Sequence, residues 1–83
     1  MKIMRVVYLQ EKSELRSFDE SASYMGEESW TVGETFKGEF IQGTVTSIEM
    51  GHYPWDNSLH IRVDGNKLAM TIPPHAVQRV YYG

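Results

Sequence analysis

The sequence predicts a mainly β protein, a small barrel of five to six strands with a short helical segment before the second strand. Three observations predict it. β-Branched and aromatic residues gather in short runs, glycine, aspartate and proline separate those runs, and 83 residues without a cysteine hold a single domain with no disulfide to staple it. Closing such strands on one another removes the exposed edges that invite aggregation. Small cores are commonly supplemented by disulfides, metals or self-association, so the missing cysteines make a homo-oligomer the expected state.

Residues 3 to 10 (IMRVVYLQ) are apolar at both alternating sets of positions, as in a strand covered on both faces. Ser13 then precedes Leu15, Phe18, Ala22 and Met25, spaced by three, four and three, which suits one or two amphipathic helical turns stopped by Gly26. From Thr31 on the pattern is strand and turn. Phe36 and Phe40 flank Lys37, Gly38 and Glu39, where a glycine at positive φ would reverse the chain. Phe40 to Met50 reads as a strand bent at Gly43, and GHYPWDNS over residues 51 to 58 reads as a loop. Leu59, Ile61 and Val63 alternate with polar residues, Asp64-Gly65 is a strong hairpin signal, and Lys67 to Ile72 returns. Pro73 and Pro74 end that strand, PHAV allows one turn of 3₁₀ helix, and Gln78 to Tyr82 closes the sheet. These elements together predict the SH3-like or Sm-like kind of barrel.

Eight lysines and arginines against eleven acids give a net charge of −3, which argues against the basic footprint of a duplex-DNA binder. The first apolar run is broken by Arg5 and ended by Gln10, Glu11 and Lys12, far short of a membrane span. A cytoplasmic protein without a membrane partner is the expectation. No nucleophile motif, phosphate-cradling glycine loop or scaffolded carboxylate pair is visible, so neither enzyme activity nor a cofactor is expected. His52, His60 and His75, with Asp56, carry ligand atoms, but their spacings match no metal motif.

Between residues 17 and 36 the chain has five acids and no base. Tyr24, Trp30, Tyr53, Trp55, Tyr81 and Tyr82 are more amphipathic rings than so small a core buries. Rings beside carboxylates suit a proline-rich or basic peptide, with the aromatic groove taking apolar groups and the acids taking lysine or arginine. Glu27, Glu28, Trp30, Tyr53 and Trp55 are therefore the candidate surface for a protein partner. Two other uses of the same residues stand beside it: Trp30 and Phe36 filling the barrel with Tyr53 and Trp55 packing the loop, and carboxylates imitating nucleic acid, as inhibitors or adaptors from mobile elements do. Terminal strands are natural edges, which makes Ile3, Val7 and Leu9 with Val80 and Tyr82 the candidate seam between subunits.

Lys37-Gly38, then IQG at 41–43, SIE at 47–49 and PHAVQRV at 74–80, occur in an order that resembles the Hfq family of bacterial Sm-like proteins. The resemblance covers roughly residues 36–49 and 67–80. It implies a ring of six or seven subunits binding single-stranded RNA, with His75 facing the pore and Gly38, Ile41 and Gln42 near the opposite-face site. Pro74 stands where the family has a lysine and Glu34 where it has a base-stacking tyrosine, which removes a cation and a stacking platform. A third function class, an oligomer that sequesters a small ligand between subunits, fits the same composition.

Overall fold

The computed structural model describes residues 2–17, 20–51 and 56–83, with the side chains of residues 13–23 outside the description. Seven strands follow in order: β1 (Ile3–Ser17), β2 (Glu20–Thr31), β3 (Thr35–Lys37), β4 (Gln42–Met50), β5 (Leu59–Val63), β6 (Lys67–Ile72) and β7 (Val77–Tyr82). A 3₁₀ turn, Pro74–Ala76, connects β6 to β7. All pairings are antiparallel, in the sheet order β2-β1-β4-β5-β6, with β3 added on β4 and β7 on β1. The protein is mainly β, and the sheet is open. Among the described residues β6 pairs only with β5, and β7 only with β1.

The predicted helical segment is instead strand. β1 and β2 form one long hairpin whose register runs from Arg5↔Thr31 through Lys12↔Tyr24 to Leu15↔Ser21. A helix of two turns is marginal in water, and serines at 17, 21 and 23 lower its propensity further. Pairing of β1 with β2 gives alternate residues of this stretch backbone hydrogen-bond partners instead. Phe18 lies outside the described residues.

β1 is the centre of the fold. From Ile3 to Tyr8 it has β7 on one side, through Ile3↔Tyr82 and Val6↔Val80, and β2 or β4 on the other. This corrects the expectation that the first strand is an edge as far as Tyr8: Ile3 and Val7 are paired on both sides, and Val80 and Tyr82 pair with β1 of the same chain, whereas Leu9, among the described residues, pairs with β2 alone. Among the described residues β2 and β7 pair there only with β1. Beyond Tyr8 the hairpin projects as a two-stranded arm, which contributes to dimensions of 47 × 27 × 23 Å.

The turns follow the sequence, with altered reasons. Asp64 and Gly65 take positive φ, 49° and 94°, to join Val63 to Lys67. The Asp64 carboxylate accepts the Thr44 N–H at 3.1 Å and lies over Gly43, where a Cβ would come within 2.5 Å of Oδ2. Gly43 therefore makes room for a turn on another hairpin, and the irregularity in β4 falls later, between Val45 and Ser47. Gly38 opens the reversal into β4, donating to the Ile41 carbonyl at 2.9 Å, but without a positive φ. Glycine is needed because a Cβ would stand 2.7 Å from the Phe36 ring.

Val6, Val45, Ile61, Val63 and Ile72 are fully buried and Tyr8 and Phe36 nearly so. Trp30 is half-buried against them, its ring centroid 4.5 Å from that of Phe36. Its indole N–H donates to the Tyr8 hydroxyl at 2.9 Å, and that hydroxyl donates to the Met70 sulfur at 3.5 Å. Burial raises the Tyr8 phenol above its usual pKa, the Trp30 bond opposing part of the rise, so the hydroxyl keeps its proton. Tyr8→Phe leaves the indole donor without its acceptor and is expected to lower stability by about 1–2 kcal/mol. The urea midpoint at unchanged slope measures this; an unaltered midpoint would mean that solvent satisfies the indole equally well.

Candidate binding surface

Trp30 forms a wall shared by two hollows. The first, about 430 Å³, is framed by Tyr8, Trp30, Phe36, Ile41 and Met70, drawn from β1, β2, β3, the β3–β4 turn and β6. At its rim Phe40 is 90% exposed, an unusual position for a phenylalanine with so much unfilled apolar wall beside it. Lys37, Glu39 and Gln10 supply polar groups around this mouth. Size and lining fall within the range of ordinary ligand and peptide-side-chain sites.

The second hollow, about 630 Å³, is polar and lies across β7, β1 and β2. The pairings Val7↔Arg79, Arg5↔Tyr81 and Val7↔Ser29 place these side chains in rows on one face. Arg5 lies 5.8 Å from the centre of the Tyr81 ring and its guanidinium donates to the Ser29 hydroxyl at 3.4 Å. Glu27, Glu28 and Glu34 provide the acids. Two of these are already engaged: Glu34 accepts the Thr31 N–H at 2.9 Å, and Glu28 pairs with Lys12, whose pKa it raises.

The structure thus brings Glu27, Glu28 and Trp30 to one hollow, as the sequence suggested, and gives Trp30 a packing role as well. Tyr53 and Trp55 lie outside the described residues. Gly38 and Ile41 line the aromatic hollow, while Gln42 is exposed opposite Lys37. His75, on the 3₁₀ turn, is exposed beside a separate hollow of about 320 Å³ that also touches Leu9, Met25 and Pro73. Arg5, Phe40, Met70 and Arg79 are not among the residues the sequence marks for a site, and Tyr81 is marked only as one ring too many for the core. Phe40 carried a signal, an aromatic directly after a turn, but was assigned to the following strand.

One further cluster was not anticipated. Asp56 accepts the Ser58 N–H at 2.9 Å and the Ser58 hydroxyl through Oδ1, and Oδ2 lies 2.8 Å from His60 Nε2. The residue types are those of a nucleophilic triad, but the geometry differs. The serine hydroxyl donates to the carboxylate, and the same histidine nitrogen faces both partners, so no relay runs from acid through imidazole to hydroxyl. The cluster closes the β4–β5 loop instead: Gly51 donates to the Ser58 carbonyl at 2.9 Å, and the Asp56 carboxylate occupies the space where a Gly51 side chain would be. Among the described residues no three histidine or acidic side chains come together as a metal site.

No protein-family model matches the chain, and no curated protein or solved structure is found to be similar to it. Among the described residues no helix is long and apolar enough to cross a membrane. The functional reading therefore rests on the residues and their arrangement.

The Ser58 hydroxyl and N–H, with His60, hold the Asp56 carboxyl down from 3.8 to about 2. A depressed pKa in the folded state contributes stability above the ordinary value and loses it as pH falls through the lowered one. Asp56→Asn keeps an acceptor but cannot titrate. Its urea midpoint is expected to fall less than that of the wild type as pH falls from 3.8 toward 2; parallel curves would show that the clasp carries no linkage.

Proposed function

We propose that this chain is a non-enzymatic binding module, a small barrel of the SH3-like or Sm-like kind, that takes a segment of a partner protein. The segment carries an apolar or aromatic residue next to lysine or arginine. The observation that carries the reading is Phe40, exposed at the lip of a hollow walled by Tyr8, Trp30, Phe36 and Met70. An aromatic anchor of the partner would fill that hollow and cover Phe40, and central aromatic contacts of this kind dominate binding energy. Glu39 at the mouth and Glu27 across the Trp30 wall would favour a flanking base.

The barrel type is supported by the meander β4-β5-β6, by the 3₁₀ turn after it, and by the return of β7 onto β1. A cytoplasmic inhibitor or adaptor would need no more than such a surface. Capture of partner segments from a displayed random-peptide library tests the reading. Peptides with an aromatic or large apolar residue beside a base are expected to enrich, and Phe40→Ser is expected to weaken them by about tenfold or more. Glu27→Gln should weaken the same peptides less and flatten their salt dependence. Absence of enrichment, or peptides indifferent to Phe40, would overturn it. Nuclease-sensitive 260 nm absorbance on the purified protein would favour the RNA-binding ring instead.

A further inference from the structure

β7 leaves β1 at Tyr8, opposite Val77. From Leu9 to Ser17, β1 has β2 on one side and, among the described residues, no strand on the other. At about 3.4 Å per residue this is an arm of about 30 Å. Its outer edge presents backbone donors and acceptors in a row, the template on which another strand assembles. A two-stranded ribbon in water is marginal by itself, and a third strand or a second ribbon stabilises it. Tyr24 and Met25, half or more exposed, add apolar area on β2 of the same arm.

The sequence of the β1 edge says what fits it. Glu11, Lys12, Glu14 and Arg16 mix both signs within six residues, so the edge can oppose a copy of itself. An antiparallel pair with its two-fold axis at Ser13 sets Lys12 of each chain opposite Glu14 of the other, and Gln10 opposite Arg16. Moving the axis to Lys12 opposes two lysines; moving it to Glu14 opposes two glutamates and sets Lys12 against Arg16. The outer edge of β2 offers no such match, because from Glu20 to Thr31 it has acids and no base. Opposite charges across a strand pair stabilise it and like charges oppose it. Lys12 is already paired with Glu28 in its own chain, so the second copy's Glu14 would extend an existing ion pair into a network.

We infer that the β1–β2 arm is a homodimerisation element, in which the β1 edges of two copies pair antiparallel about Ser13 to join two hairpins into a four-stranded sheet. This differs from a seam on Ile3, Val7, Val80 and Tyr82, whose strands already pair within one chain over that stretch, and shares with the predicted seam only Leu9, which among the described residues pairs with β2 alone. The inference is independent of the peptide reading. Of the described residues in the joint, Gln10 alone also stands at the rim of the aromatic hollow.

Light scattering on a sizing column tests it by charge exchange. Wild type is expected at twice 9.6 kDa. Lys12→Glu and Glu14→Lys, each alone, oppose like charges at both symmetric positions and are expected to dissociate about tenfold more readily. Mixed in equal amounts they pair glutamate with lysine at both positions and are expected to recover the dimer. Lys12→Gln loses the Glu28 ion pair without the repulsion and separates a folding defect from a pairing defect; circular dichroism checks that each variant keeps its strands. A monomeric wild type, or a mixture no more dimeric than its components, overturns the inference.

Discussion

The Tyr8 hydroxyl ties together parts of the chain that would otherwise meet only through backbone pairing. It sits on β1 where that strand has partners on both sides, accepts from Trp30 on β2 and donates toward Met70 on β6. In doing so it links the hairpin to the β4–β6 meander through two directional contacts. Trp30, held by its indole, lies over Phe36 and becomes the partition between the aromatic and the charged hollow. A binding surface built from side chains locked in this way needs little reordering when a ligand arrives.

The latter half of the chain was legible because its signals are local. Asp64-Gly65, the double proline and the strand alternation of Leu59 to Val63 each act within a few residues, and the structure has a turn, a 3₁₀ turn and a strand there. The first half was misread where local and non-local preferences compete. Leu15, Ala22 and Met25 have a helical spacing, but the stretch is short and rich in serine, and a long antiparallel pairing of β1 with β2 competes with the helix for its backbone groups. Gly38 and Gly43 were rightly marked as constrained and wrongly explained. Gly38 is set by its near neighbour, the Phe36 ring, and Gly43 by the Asp64 carboxylate arriving from another hairpin, which no window of sequence reveals.

The candidate site divides in the same manner. Glu27, Glu28 and Trp30 are neighbours in sequence and were read together. Arg5 and Arg79 join them only because β7 returns onto β1, which depends on topology rather than on pattern. The Asp56, Ser58 and His60 cluster is sequence-local yet chemically ambiguous until the ring nitrogen is located. The serine hydroxyl turned to the carboxylate, and the one ring nitrogen facing both partners, distinguish a clasp from a relay.

The charge distribution changes meaning once folded. As a linear segment, residues 17 to 36 carry acids without a base, which suggests a surface of one sign. Folding brings Lys12 to Glu28, a backbone donor to Glu34, and Arg5 and Arg79 to the hollow that Glu27 lines. What remains is a mixed field, in which attraction of a basic partner is short-ranged and screened by salt within about 8–10 Å. Electrostatics of this kind orients and selects more than it binds. For the proposed partner, affinity would then come from apolar area, and Phe40 forms a lip where unfilled aromatic wall lies beside an exposed ring. A single small mouth of that sort gives modest affinity; two of them held at opposite ends of a joined pair of arms would raise the effective concentration for any partner that repeats its segment.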